Sequence, residues 1–156
     1  MTQVADNQAE LRELYRELIL DHARNPRNFG KLEGVTHQAE GINPLCGDKL
    51  RLYLSLNDAG MLNAAAFEGS GCAISIASAS LLTERIPGMT KAEALHFFSA
   101  VVSALTESGH DTDMDLGKLA ALQGVREFPA RVKCATLAWH ALASALNRDV
   151  EPATTE

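Results

Sequence analysis

Three cysteines and one aspartate carry the chemistry that this chain could do. Cys46 lies in Asn43-Pro44-Leu45-Cys46-Gly47-Asp48, Cys72 follows Gly69-Ser70-Gly71, and Cys134 follows Pro129-Ala130-Arg131-Val132-Lys133. Three soft thiolates with the Asp48 carboxylate would close a tetrahedral zinc site, or hold an iron–sulfur cluster. The spacings are long and irregular. No C-x-x-C pair exists, which excludes a zinc ribbon or a thioredoxin motif. Whether the four residues converge is left to the fold.

Each cysteine has a local reason to be reactive or metal-bound, and a plainer rival. Cys72 would open a helix, where exposed N–H groups and the helix dipole favour a thiolate. The glycines before it allow a sharp turn and a close backbone approach. Its rival role is that of a small buried cysteine in a core helix. Cys46 and Asp48, two apart in an extended stretch, point to the same side. Two anions side by side repel unless solvent or a cation separates them, so the pair hints at a metal. The alternative is an exposed loop cysteine beside a turn aspartate. Cys134 sits early in the last predicted helix with Arg131 and Lys133 beside it. Cationic neighbours favour a thiolate and would offset the negative charge of a Cys₃Asp zinc site. Equally, they would form an ordinary solvated face.

Other chemistries are weaker. His22 continues an apolar stripe, and His96 and His140 fall in predicted helices; all three read as helix-surface or boundary residues. His37 and His110 fall in loop-like or edge regions. Ser70, Ser75 and Ser78 lack a His/Asp arrangement for a nucleophile. The 69–71 glycine stretch lacks the Gly-Lys-Ser/Thr of a phosphate loop.

The chain has 156 residues, 46% apolar and 22% charged, with net charge -6. That length supports one domain with a sizeable core. The acidic balance argues against a nucleic-acid surface. No apolar run approaches the ~20 residues of a membrane span. The polar N-terminus lacks a signal-peptide core, so the expected compartment is the cytoplasm, where thiols stay reduced.

The elements that must position the cysteines follow from periodicity. Leu11, Leu14, Tyr15, Leu18, Ile19 and His22 have the spacing of an amphipathic helix that ends at Asn25-Pro26. Leu50, Leu52, Leu54 and Leu56 alternate with polar residues, predicting a half-buried strand. After the Asn57–Gly60 turn, residues 61–68 return as its partner, and residues 35–42 are a third strand. Cys72 to Ile86 predicts a buried helix, with a strand as rival at its start. Thr90 and Glu93 form a capping box for the next helix. Ser108 to Asp115 reads as a polar, acidic loop and Leu116 to Leu122 as a short helix. Phe128-Pro129 opens the last helix. The order implies α+β: a small three-stranded antiparallel sheet with helices on one face. Residues 1–156 form one unit in this reading, with disordered tails at about 1–8 and 148–156.

At these residues a family resemblance emerges. Leu14 to His22, then Asn25-Pro26-Arg27-Asn28-Phe29-Gly30, resemble the N-terminus of the IscU/NifU-like iron–sulfur scaffold family. Asn43 to Asp48 and Phe67 to Ser75 look like its two central motifs, and the likeness covers roughly residues 10–147. Two departures point to the SufU branch: Lys133 stands where the IscU type has a histidine, and there is extra sequence over about Ser108 to Val125. The Phe128–Leu137 string is similar to that branch as well.

The resemblance implies zinc held by Cys46, Asp48, Cys72 and Cys134. It also implies a partner, a SufS-type pyridoxal-phosphate cysteine desulfurase, whose persulfide sulfur is accepted and passed toward iron–sulfur assembly proteins. In the family picture a desulfurase histidine replaces one cysteine on zinc. Cys46, on its Pro/Gly-flanked loop, is the expected sulfur carrier, and Arg131 the expected residue orienting the exchange or binding the partner. The rival is a scaffold that assembles and donates a transient [2Fe–2S] cluster, or binds iron, on the same ligands. A third role is a desulfurase-binding regulator with structural zinc.

Overall fold

The computed structural model describes residues 2–106, 115–148 and 152–155, with side chains from residue 12 onward. Helix α1 spans Thr2–Arg24. Strands β1 (His37–Asn43), β2 (Asp48–Leu56) and β3 (Leu62–Ser70) follow. Then come α2 (Ala73–Arg85), α3 (Lys91–Leu105), a 3₁₀ segment (Gly117–Glu127), α4 (Pro129–Asn147) and the short β4 (Ala153–Thr154). The sheet order is β3-β2-β1-β4. The first three strands pair antiparallel, whereas β4 joins β1 in parallel. The α+β class therefore holds, with a fourth strand making the sheet mixed.

Three predicted boundaries change. Thr2 is already helical, so α1 reaches into the stretch read as a tail. Those first residues are polar and carry no apolar stripe, which is why periodicity started the helix later. At the other end, Thr155 donates its N–H to the Ile42 carbonyl (3.3 Å) beside the β1–β4 pairing. Two residues of strand are too short to show a period of two. The segment from Gly117 forms 3₁₀ turns and runs to Glu127, beyond the expected short helix. The acidic loop lies outside the described residues except at Asp115.

The alternation along β2 places Leu50, Leu52 and Leu54 at 0–2% exposure, facing the helices. On the opposite face Arg51 pairs with Glu40 (2.8 Å) and the Tyr53 hydroxyl donates to Glu68 (2.6 Å). Helix α4 crosses β1 so closely that a Cβ on Gly41 would lie 3.2 Å from Leu137. Helix α3 has the expected capping box: Glu93 N–H donates to Thr90 Oγ1, and Thr90 N–H to Glu93 Oε1. Trp139, fully buried in α4, donates its indole N–H to Ser78 Oγ of α2 (3.1 Å). Among the described residues no helix is long and apolar enough to cross a membrane.

His22 corrects the surface reading: it is fully buried between α1 and α2. The apolar stripe it continues packs inward, and a polar partner waits there. Its Nδ1 lies 2.7 Å from Ser80 Oγ, which also accepts the Arg27 N–H (2.8 Å). The other ring nitrogen is Nε2, on the side of Glu84. That nitrogen has no hydrogen-bond partner and lies 3.7 Å from Glu84 Oε1. Burial, then the Arg27 and Lys118 charges, hold this imidazole below its usual range, against the opposing pull of Glu84 and Asp21.

Two expectations follow. A folded-state pKa below the unfolded value of about 6.5 means the unfolded chain binds the proton more readily. The His22 contribution is thus present above that pH and is lost as pH falls toward the folded value. Urea denaturation at a series of pH values should show stability dropping below pH ~6.5, by at most about 1.4 kcal/mol per pH unit from this group. His22→Gln should flatten that slope relative to the native chain; an unchanged slope assigns the effect to other groups. Separately, a Cβ at Gly69 (φ +147°) would sit 2.2 Å from the Lys49 carbonyl oxygen. Gly69→Ala should cost about 2–4 kcal/mol in the same denaturation measurement.

Candidate metal centre

The β1–β2 connection builds the first part of the site. Asn43 and Asp48 are the last cross-strand pair. Between them the chain turns through Pro44, Leu45, Cys46 and Gly47. Gly47 takes φ 73°, the left-handed region that a side chain disfavours. The N–H groups of Cys46 and Gly47 both donate to the Asn43 carbonyl, at 3.3 and 2.9 Å. Cys46 is exposed in this turn, and its neighbour Leu45 is 76% exposed.

Asp48, only 1% exposed, is held from two directions. Its Oδ1 accepts the Cys72 backbone N–H (2.9 Å), and its Oδ2 accepts the Ser75 hydroxyl (2.6 Å). A carboxylate taken out of water needs such donors. Gly71 allows the approach: a Cβ there would meet Asp48 Oδ1 at 2.7 Å. Cys72 is the N-cap of α2, its sulfur accepting the Ser75 N–H (3.5 Å). This settles the helix-or-strand alternative at residue 72 in favour of a helix. Cys134, 1% exposed, faces the same point from α4. Its Sγ lies 3.7 Å from Cys46 Sγ, and Asn43 Nδ2 approaches it to 3.9 Å.

Cys46, Asp48 and Cys134 thus offer three ligand atoms lying within 4.8 Å of one another. Cys72 stands outside that tight group but adjoins it through Asp48, Ser75 and a contact with Cys134. The two helix cysteines are biased in opposite directions. Burial works to raise the Cys72 thiol, but the Ser75 hydroxyl and N–H, with the Cys134 thiol, outweigh it and bring it below its ordinary value. Burial pushes the Cys134 thiol far above its ordinary range, and Asp48, Cys72 and Cys46 around it add to the rise.

The donor set fits a metal ion. Two sulfurs at about 2.3 Å from a tetrahedral zinc ion are separated by roughly 3.8 Å, close to the 3.7 Å between Cys46 and Cys134. Each Asp48 oxygen has one donor here and keeps a second lone pair for a cation. Crowding of an aspartate with thiols in a dry pocket is unfavourable for anions and is relieved by a positive ion.

Arg131 lies one turn before Cys134 in α4, exposed, and its side chain makes no hydrogen bond or ion pair among the described residues. Lys133 is half-buried. Two residues of the site escaped the sequence reading. Ser75 bridges Asp48, Cys72 and the Cys134 carbonyl, and Asn43 touches the Cys134 sulfur. The Cys72-x-x-Ser75 spacing is that of an N-cap and its third helical residue, which would have marked Ser75. No comparable signal marks Asn43, whose contact depends on α4.

Comparison with known proteins agrees with this architecture. The NifU-like N terminal domain family matches residues 14–147. The zinc-dependent sulfurtransferase SufU of Bacillus subtilis is 46% identical over 134 residues, 86% of this chain and 90% of that protein. The iron-sulfur cluster assembly scaffold protein IscU of Thermotoga maritima is 39% identical over 142 residues, 89% and 96% of the two chains. The crystal structure of FiSufU from Fervidobacterium islandicum superposes with a TM-score of 0.77 at 37% identity, covering 83% of this chain and 94% of that one. With the motif residues gathered at one end of the sheet, this chain belongs to the NifU-like N-terminal domain family, and its likeness to SufU spans most of both proteins.

Proposed function

We propose that this chain is a zinc-dependent sulfur acceptor. It takes persulfide sulfur from a SufS-type pyridoxal-phosphate cysteine desulfurase and passes it toward iron–sulfur cluster assembly. The observation that carries this reading is the placement of Cys46: it is the exposed cysteine of the three, yet its sulfur sits within the group of potential ligands. A structural zinc site has all four positions filled by fixed protein ligands and stays closed to chemistry. Here one candidate ligand is on a solvent-facing turn. The 46% identity to SufU points the same way.

In this reading Cys46, Asp48, Cys72 and Cys134 hold the ion, which when bound keeps the thiols deprotonated. The residues of the chain do the rest. Asp48 is fixed by the Cys72 N–H and the Ser75 hydroxyl, so the ligand frame is organised before binding. Cys72 and Cys134 are anchored by α2 and α4. Cys46 turns outward, and its thiolate attacks the terminal sulfur of the desulfurase persulfide. The S–S bond of that persulfide breaks, the desulfurase cysteine leaves as a thiolate, and Cys46 becomes the persulfide. Arg131, exposed one turn before Cys134, supplies the positive charge to which this reading gives a role in docking or orienting the exchange.

A second reading, a scaffold for a transient [2Fe–2S] cluster, is favoured by the IscU relatives, such as that of Streptococcus pyogenes at 36% identity. The same three thiols would serve it. Lys133 provides no imidazole ligand, which weighs toward sulfur transfer.

Three substitutions separate the roles. Zinc-loaded Cys46→Ala should retain substantial metal but take up no sulfur when mixed with the desulfurase and cysteine; protein-bound sulfur on that variant counts against Cys46 as carrier. Asp48→Ala should bind zinc about tenfold or more weakly by competition with a chelator while its acceptor thiol still alkylates. Gly71→Ala, whose new Cβ would displace the Asp48 carboxylate, should weaken zinc similarly with every ligand intact. Metal analysis of freshly isolated protein decides between the readings: zinc with rapid sulfur transfer supports the acceptor, and an intact transferable cluster supports the scaffold.

A further inference from the structure

The sulfur-acceptor reading leaves open how sulfur departs from Cys46, and the geometry around that residue bears on it. Cys46 Sγ and Cys134 Sγ are 3.7 Å apart, near van der Waals contact. Cys46 is exposed, whereas Cys134 is buried in α4. Bonding the two sulfurs at about 2 Å needs a closure of under ~2 Å. The Pro44–Gly47 turn can supply it. Its backbone is held by two hydrogen bonds to the Asn43 carbonyl, at 3.3 and 2.9 Å, and Leu45 beside Cys46 is solvent-facing. Cys72 is placed differently: Ser75 holds its sulfur at the α2 N-cap, and it falls outside the tight group.

We propose that Cys134 is a resolving thiol for a persulfide on Cys46, so that sulfur can leave this chain as free sulfide. This rests on Cys46 being the sulfur carrier. Cys134 is held as a thiol by burial and by the Asp48 carboxylate it meets; it passes its proton to Asp48 as its sulfur attacks Cys46 Sγ, the inner sulfur of the persulfide, which is the atom already poised beside it. The persulfide S–S bond breaks, and the terminal sulfur leaves with the electron pair as hydrosulfide. A Cys46–Cys134 disulfide forms, and the proton given up by Cys134 goes on from Asp48 to the leaving sulfide or to water. The terminal sulfur gains two electrons and the two cysteine sulfurs supply them, so no external oxidant enters. The reaction belongs to the ion-free state of the site, in which both sulfurs are unligated, and a dithiol reductant resets the pair.

The test uses the full chain, freed of metal with a chelator and kept anaerobic without reductant. Inorganic tetrasulfide is the sulfur donor, and excess is removed by desalting. Released sulfide is followed with time, and unreduced peptide maps locate added sulfur and cross-links. The native chain should release sulfide mole for mole with a Cys46–Cys134 cross-link. Cys134→Ser and Cys134→Ala, checked for native circular dichroism, should keep the added sulfur on Cys46 and release sulfide at least about tenfold more slowly. Cys72→Ser should behave as the native chain. Release at the native rate from both Cys134 variants, a cross-link through Cys72, or no added sulfur at Cys46 would overturn the proposal. Loading by the desulfurase is measured separately. A chain that the desulfurase cannot load, but that resolves tetrasulfide-derived persulfide through Cys134, would sink the acceptor reading and leave the resolving pair standing.

Discussion

A buried carboxylate organises this structure. Asp48 sits at 1% exposure where the β1–β2 hairpin meets the start of α2. An aspartate in that position would be costly unless its oxygens were met by donors. The Cys72 N–H and the Ser75 hydroxyl meet them, at 2.9 and 2.6 Å. Satisfying Asp48 therefore fixes the first turn of α2 against the end of β2, and with it the direction of the Cys72 sulfur. The glycine at 71 follows from the same requirement, since any larger residue would fill the space that the carboxylate needs.

The site is accordingly assembled from three kinds of support. Cys72 is set by a helix cap, Cys134 by a buried helix face, and Cys46 by a turn. Their surroundings differ as their supports do. The cap lowers the Cys72 thiol despite its burial, while the dry interior raises that of Cys134. Similar residues on a linear motif would share one environment. Placement on separate elements lets one fold give its three thiols different surroundings.

Much of this was legible in the sequence. The β2 alternation, the capping box at Thr90 and Glu93, and the proline opening α4 each encode a local physical preference, and each is found where expected. The reading of Cys72 as a helix-opening residue came from the glycines before it, and it is the N-cap. What was not legible depends on distant partners. His22 looked like a boundary residue because nothing local reveals that Ser80, far along the chain, lies opposite its ring. Nothing local marks Asn43, which meets the Cys134 sulfur only because α4 is brought over it. Strand β4 was invisible because two residues carry no period; it exists only because β1 offers it an edge. The convergence of the cysteines belongs to the same class: spacing left it open, and packing brings Cys46 and Cys134 together with Asp48 while Cys72 stands beside that group.

The way α4 is fastened has a mechanical consequence. Near its first turns Cys134 lies against Asn43 and Cys46, and midway Leu137 presses on Gly41. At its far end Arg148 adopts φ 55°, its Nε donates to His37 Nε2 (3.2 Å), and the chain beyond pairs with β1. The helix is a beam clamped along its length to β1 and braced by α2 through Trp139. Such a beam cannot tilt or slide without carrying β1 with it. The turn at residues 44–47 lies beyond the last cross-strand pair, so the exposed thiol of the site rides on the part of this frame that strand pairing does not fix.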